Sequence, residues 1–198
     1  HQAVYLDDLF GKGLDHDWAI TGAGVRAPDA KMRELLLAQD CLSTVIEMSP
    51  SGESPRITGA MIDYVEIDET NGPLIAKMTD PATRIVSLTV TEGGYYVDPT
   101  TETFDPSHPD IAADGKTPDA PRTVFGAIVA ALKARRAAGT PPFTVMSCDN
   151  IPGNGDVTRN AVVGTARLSD AELAGWITEN VAFPNSMVDR ITPATGDA

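Results

Sequence analysis

Residues 143–159, FTVMSCDNIPGNGDVTR, change within a few positions from an apolar strand pattern to a cluster of polar residues and glycines. The cluster contains Asp149, Asn150 and Asn154, whose carboxylate and amide groups can accept or donate hydrogen bonds. Such residues also serve as turn and helix-capping residues. The stretch therefore predicts either a binding crevice or a surface turn at the end of a strand.

Two other strand candidates end in residues with similar chemistry. Arg26 and Asp29 follow the strand candidate at 17–25, and a short acidic and glycine-rich run follows the candidate at 84–91: Glu92, Gly93, Gly94 and Tyr95. Each group taken alone is compatible with a solvated turn or the first turn of a helix. Three such groups at strand ends favour a shared crevice.

Coarse periodicity predicts that strands and helices alternate along the chain. Strands are predicted at 17–25, 41–48, 55–67, 84–91 and 143–148, and helices at 28–39, 73–80 and 123–139. The first strand, helix and second strand are interpreted as a βαβ unit. The prolines of the segment 98–123 predict that it contains no regular helix. The alternation predicts a doubly wound, mostly parallel α/β sheet, which binds ligands outside the carboxyl ends of its strands.

The charge and cysteine content limit the partners of the protein. Its 198 residues include 15 Lys plus Arg against 28 Asp plus Glu, a formal net charge of -13 that repels nucleic acid and anionic membranes. Cys41 and Cys148 show neither CxxC nor Cys/His spacing, which predicts no disulfide framework and no metal site. Cys148 is expected to be a core residue rather than a nucleophile. These features predict a cytoplasmic protein with neither nucleic-acid nor membrane partners.

The first 29 residues contain some of the features of a dinucleotide-binding fold and lack others. HQAVYLDDLF reads as the middle of an amphipathic helix, and we expect the chain to be an interior piece of a longer protein. An acidic residue after the second strand of a dinucleotide fold binds the adenosine ribose and repels a 2′-phosphate, and Asp29 suits this role. The glycine fingerprint G-x-G-x-x-G is absent, since GAGVRA at 22–27 has the wrong spacing. We expect the fingerprint and the first strand to lie upstream of His1.

Several long segments together resemble the N-terminal domain of the mannitol dehydrogenase family, the polyol-specific long-chain dehydrogenase/reductases. They are HQAVYLDDLF, VSLTVTEGGYY, TVFGAIVAALKARRAAG, FTVMSCDNIPGNG and FPNSMVDRITP, and the resemblance spans nearly the whole chain. It implies a Rossmann-type NAD domain over 1–198, followed by a largely helical C-terminal domain absent from this sequence. It also implies a polyol and ketose substrate bound between the domains, and no metal.

The resemblance also implies roles for individual residues. Asn150 matches the asparagine that polarises the reacting oxygen, and Glu92 and Asp189 match positions that line the substrate site. The cofactor is expected to contact four residues: Arg26, Asp29, Thr91 and Asn150. The family's catalytic lysine belongs to the C-terminal domain. Pro152, Gly153 and Gly155 are expected to shape the turn that presents Asn150, with one glycine allowing close approach of the cofactor.

Two alternative functions stay open at this point. A related uronate reductase of the fructuronate or tagaturonate type would need a cationic clamp, which the sequence does not reveal. A non-catalytic NAD-binding module would lack the lysine of the C-terminal domain. The leading hypothesis is an NAD-dependent oxidoreductase that interconverts mannitol-type polyols and fructose-type ketoses, with the fragment itself inactive.

Overall fold

Two pairs of parallel strands, one in each of two units, form the framework of the chain. The computed structural model describes residues 2–24 and 30–188. The units comprise His1–Glu69 and Thr70–Ala198. Within the described ranges, none of the helices is both long and apolar enough to cross a membrane.

The first unit combines a parallel strand pair with an antiparallel hairpin. Its elements are α1 Gln2–Gly11, β1 Ile20–Ala23, α2 Ala30–Ala38, β2 Ser43–Ser49, β3 Gly52–Thr58 and β4 Met61–Val65. β1 pairs in parallel with β4, and β2 pairs antiparallel with β3. Arg56 of β3 forms ion pairs with Asp7 and Asp8 of α1 at 2.7 and 2.6 Å. The hydrogen bond from Arg56 holds the pKa of Asp7 below its usual value.

The predicted βαβ unit at the start of the chain is wrong in its second strand. The strand predicted at 41–48 runs through a two-residue loop at 50–51 directly into β3. A two-residue loop can join only antiparallel strands, and β2 therefore pairs with β3 instead of β1. The parallel partner of β1 is β4. The single strand predicted at 55–67 is also wrong, because residues 59–60 separate β3 from β4.

The second unit contains the remaining elements, and its core surrounds one helix. They are α3 Gly72–Thr79, β5 Ile85–Leu88, β6 Val97–Asp98, β7 Thr103–Phe104, α4 Pro109–Lys116, α5 Val124–Ala137, β8 Thr144–Ser147, α6 Asn154–Arg167 and α7 Ala171–Asn180. β5 pairs in parallel with β8. Phe125, Ile128 and Leu132 of α5 are completely buried, so one face of the helix predicted at 123–139 forms core.

The prediction that 98–123 contains no helix is wrong, because α4 lies inside this segment. Pro109 occupies the first turn of α4, where no intrahelical donor is needed. The His108 ring accepts a hydrogen bond from the backbone N–H of Asp110 and caps the helix. Proline here starts a helix instead of preventing one.

Arg135 lies near the end of α5, and its guanidinium is buried among carbonyl oxygens. It donates to the backbone oxygens of Met78, Asp80 and Thr83 at 2.8 to 3.0 Å, and its Nε donates to Pro141. Burial lowers the pKa of the Arg135 guanidinium. Arg135 thereby ties the end of α3 and the approach to β5 to the segment that leads into β8.

Candidate functional site

The carboxyl ends of β5 and β8 lie side by side. The register pairs Ile85 with Thr144 and Leu88 with Ser147, and the backbone N–H of Cys148 donates to the Leu88 carbonyl. Parallel strands present their carboxyl ends at one edge, where α/β proteins commonly bind ligands. The polar residues after both strands therefore meet at this edge.

The turn after β5 contains a strained threonine. Thr91 has φ 65° and ψ 164°, a conformation that glycine adopts readily and other residues rarely. Holding a side-chain-bearing residue there costs on the order of 1–3 kcal/mol, so the surrounding contacts must stabilise it. The chain then forms a single 3-10 turn, Glu92–Tyr95.

Asp149 supplies those contacts from the end of β8. Its Oδ2 accepts the backbone N–H of Val90 at 2.9 Å, and its Oδ1 accepts that of Thr91 at 3.1 Å. The Tyr95 hydroxyl also donates to Oδ2, at 2.7 Å. The half-buried carboxylate thus joins the turn after β5 to the turn after β8.

Tyr95 connects this carboxylate to the core. Its ring is completely buried, and its hydroxyl lies 2.6 Å from the Ser147 Oγ. Burial, reinforced by the Asp149 carboxylate, holds the pKa of Tyr95 well above its usual value, although the Ser147 contact acts in the opposite direction. The phenol therefore stays protonated at neutral pH and continues to donate.

Asn150 follows Asp149 and is exposed to solvent. Within residues 2–24 and 30–188 its side chain makes no hydrogen bond. A turn or capping asparagine would accept a hydrogen bond from a nearby backbone N–H. The free amide of Asn150 is instead available to a ligand.

A cleft of about 330 Å³ opens at this edge. It is lined by residues of both turns: Thr91, Glu92, Gly93, Asp149 and Asn150. No heavy atom lies within 4 Å of the position that a Cβ on Gly93 would occupy, so this wall has open space beside its backbone. The lining carries two carboxylates and, as far as the described residues go, no lysine or arginine.

Asn154 holds a third segment against the end of β8. Its buried amide donates to the carbonyl oxygens of Asp149 and Ser186 and to the Ser186 hydroxyl, and it accepts the Ser186 N–H. The Ser186 hydroxyl donates to the Ser147 carbonyl at 2.5 Å. The segment before Asp189 is therefore anchored beside the cleft.

Glycine is needed at positions 153 and 155 of the turn for different structural reasons. Gly153 has φ 61°, a left-handed conformation that precedes α6. Gly155 is packed so closely that a Cβ would lie 2.6 Å from the Phe183 carbonyl oxygen. The close approach at Gly155 is thus made by the protein's own backbone.

The structure brings three of the predicted site residues together: Thr91, Glu92 and Asn150. The other three, Arg26, Asp29 and Asp189, lie outside the described residues. From the sequence, Asp149 and Tyr95 were predicted only to lie at the strand ends that form the crevice, and Ser186 was assigned no role. The position of Asp149 directly before Asn150 was a usable signal, whereas the contacts of Tyr95 and Ser186 depend on long-range packing.

Helices connected to parallel strands, with a polar cleft at the carboxyl ends of the strands, define a Rossmann-type dinucleotide-binding fold. The chain belongs to the mannitol dehydrogenase family, because residues 1–198 match the model described as the mannitol dehydrogenase Rossmann domain. This confirms the predicted resemblance and fold class.

Individual relatives are similar over nearly the whole chain. A mannitol 2-dehydrogenase of Cereibacter sphaeroides is 67% identical over 99% of this chain and 41% of its own length. A polyol:NADP oxidoreductase of Gluconobacter oxydans (strain 621H) is 48% identical over 98% of this chain and 40% of its own. The Pseudomonas fluorescens mannitol 2-dehydrogenase, solved as a ternary complex with NAD and D-mannitol, superposes with a TM-score of 0.93 and 48% identity, over 99% and 40% of the two chains. The chain thus spans about 40% of the length of these relatives.

Proposed function

We propose that this chain is the N-terminal, NAD-binding part of a longer dehydrogenase that interconverts a polyol and a ketose, of the mannitol and fructose type, by hydride transfer. The relatives named for mannitol support the substrate class, and the complex of one of them with NAD supports the cofactor. The observation that carries the proposal is the exposed amide of Asn150, which has no partner among the described residues and lies in a cleft at the ends of parallel strands.

The charge of the cleft favours an uncharged substrate. Glu92 and Asp149 are two of its five lining residues, and neither lysine nor arginine lines its described part. The described lining of this cleft would offer a uronate carboxylate no cationic partner, and both acidic side chains would repel it. A polyol carries only hydroxyl groups, which can donate hydrogen bonds to Glu92. This observation favours a polyol dehydrogenase over a uronate reductase.

The cleft also suits the reactive end of a dinucleotide. The cleft has open space beside Gly93, next to Asn150, and Thr91 lies exposed on the same wall. We propose that Thr91 and Asn150 contact this end of NAD, whereas Arg26 and Asp29 bind its adenosine end. Bound NAD would supply the hydride acceptor for alcohol oxidation.

The chain's own residues would then polarise and orient the substrate. The Asn150 amide donates a hydrogen bond to the reacting oxygen, and this bond strengthens as negative charge develops during oxidation. Glu92 and Asp189 accept hydrogen bonds from other hydroxyls and fix the carbon that gives up hydride. A base must take the hydroxyl proton, and the family resemblance assigns this step to a lysine of the C-terminal domain, which we propose follows this chain.

The test is steady-state kinetics of the full-length enzyme that carries this sequence, with mannitol and NAD. We expect NADH formation, and we expect Asn150→Ala to lower kcat on the order of 100-fold or more, equivalent to roughly 2.7–4 kcal/mol. Asn180→Ala is the matched control, because its amide donates to the Trp176 carbonyl on an exposed helix end. The control should keep normal kcat.

Three results would contradict the proposal or part of it. Absence of NADH formation by the unmodified enzyme with mannitol and related neutral polyols would refute the polyol activity. A normal kcat for Asn150→Ala, combined with a lower Tm, would instead make Asn150 a turn residue. Turnover of uronates but not of polyols would favour the reductase alternative.

A further inference from the structure

The proposed reaction leaves Asp149 without a task, although its carboxylate contacts both walls of the cleft. We propose that Asp149 is a positioning residue for hydride transfer, which holds the Thr91–Glu92 turn and the Asn150 amide in one fixed arrangement. This role rests on the proposed function. It concerns a residue that acts through its neighbours and does not touch the reacting atoms.

Asp149 continues the contact between β5 and β8 after the pairing of these strands ends. The ladder between β5 and β8 stops at Leu88 and Ser147, with one further bond from the Cys148 N–H to the Leu88 carbonyl. Beyond this point the backbone N–H groups of Val90 and Thr91 are bound by the Asp149 carboxylate. The side chain thus takes the place of strand pairing exactly where the cleft begins.

The conformation of Thr91 points to the same role for Asp149. A threonine with φ 65° and ψ 164° is not held there by its own local preferences. Asp149 accepts the N–H of this same residue and of the residue before it. Because Glu92 follows directly, the carboxylate also determines where the Glu92 side chain begins.

The Asp149 carboxylate is already bound by donors of the protein, so we do not assign it the role of the proton-accepting base. Oδ2 accepts two donors, from Val90 and Tyr95, and Oδ1 accepts the Thr91 N–H. A carboxylate that accepts three hydrogen bonds from the protein is held in one orientation. Its position is therefore fixed, and so is the start of the Asn150 backbone that follows it.

The test is Asp149→Asn in the full-length enzyme. The change keeps the shape of the side chain but replaces one acceptor oxygen with an NH₂ group, which cannot accept either backbone N–H. We expect kcat with mannitol to fall about 10- to 100-fold, because misplacement of reacting groups by about 1 Å has effects of this size. The deuterium isotope effect on kcat, measured with mannitol labelled at the oxidised carbon, should rise as hydride transfer becomes slower.

A matched control is Asp98→Asn. The Asp98 carboxylate accepts the backbone N–H groups of Thr100 and Thr101 at 2.7 and 2.9 Å, in the same unit but outside the cleft lining. Asp98→Asn removes the same charge, and because both N–H groups bind Oδ1, the amide oxygen of the variant can keep both contacts. We expect normal kcat and a normal isotope effect for this variant.

A second variant, Tyr95→Phe, removes one donor to Asp149 and keeps both backbone contacts. We expect a smaller fall of kcat, about threefold or more, with a raised isotope effect. If Asp149→Asn does not fold, Tyr95→Phe becomes the test of the positioning role of Asp149. Unchanged kcat and isotope effect in it would then overturn the proposal.

The outcomes separate this role from the proposed function. An unmodified enzyme that does not oxidise polyols refutes the function and, with it, the role of Asp149. An active enzyme whose Asp149→Asn variant has a lower Tm but normal kcat and isotope effect refutes only the positioning role. A decrease of equal size in the Asp98 control would also refute it, since charge alone would then explain the effect.

Discussion

At the scale of single residues, neighbours in the DNIPGNG stretch differ in what they contact. Asp149 is bound to backbone donors of the adjacent turn, whereas the Asn150 amide faces solvent. Asn154 is buried and bonded to Ser186. Polar residues of similar chemistry within six positions therefore divide into one that is free for a ligand and two that build the surrounding structure.

Asp29 carries the prediction on cofactor choice. In the full-length enzyme we expect a preference for NAD, and we expect Asp29→Ala to reduce the ratio of kcat/KM for NAD to that for NADP roughly tenfold or more. The loss of charged hydrogen bonds to the ribose is worth about 1.5–3 kcal/mol, and repulsion of the 2′-phosphate disappears as well. The measurement is initial-rate kinetics with both cofactors.

Glu34→Ala is the control for Asp29, because it removes one negative charge from the exposed surface of α2. It should leave the cofactor ratio unchanged. The Gluconobacter relative named for NADP makes the test informative. A parent enzyme with higher kcat/KM for NADP would contradict the assignment of Asp29.

At the scale of elements, α5 organises the second unit from both ends. At its start, the buried Asp114 of α4 accepts hydrogen bonds from the backbone N–H groups of Arg122 and Thr123 and from the Thr123 hydroxyl. At its end, Arg135 binds carbonyl oxygens of three other segments. These contacts place the helix relative to both strands that form the cleft.

Arg135→Met tests the contribution of this buried guanidinium. The variant leaves several carbonyl oxygens without their donor, and we expect the free energy of unfolding to fall by at least about 3 kcal/mol. Arg135→Lys should lose less of the free energy of unfolding than Arg135→Met but should not match the unmodified protein, because an ammonium group lacks the planar fork of donors. Urea denaturation of the three proteins measures the difference.

Arg136→Met is the control for Arg135. Arg136 pairs with the exposed Glu172 and lies 5.9 Å from the centre of the Trp176 ring. A surface ion pair of this kind contributes about 0–1 kcal/mol. Equal losses of stability in the Arg135 and Arg136 variants would contradict the structural role of Arg135.

At the scale of the whole molecule, the chain spans about 40% of the length of its relatives. We expect the 198-residue chain alone not to oxidise mannitol with NAD, because no lysine or histidine lines the described part of its cleft. The measurement is NADH formation by the isolated chain, with the full-length enzyme at equal molar concentration as the control. NADH formation above background by the isolated chain would contradict this expectation.

Local sequence patterns were sufficient for the elements that frame the cleft. The helical spacing of apolar residues in α5 and the apolar runs of β5 and β8 all correspond to elements at the predicted places. These patterns are readable because burial of one helix face or of a continuous strand requires apolar residues at regular intervals. The family resemblance rests on longer segments of the same regions.

Tertiary structure alone decided the pairing of strands and the partners of the polar side chains. Periodicity identifies a strand but not its neighbour, and so the antiparallel pairing of β2 with β3 was missed. Periodicity also does not predict that Arg135 is buried among carbonyl oxygens. Nor does it predict that Asp149 binds backbone N–H groups 58 and 59 positions earlier. Such contacts join segments distant in sequence, and their geometry exists only after the strands between them have paired and packed.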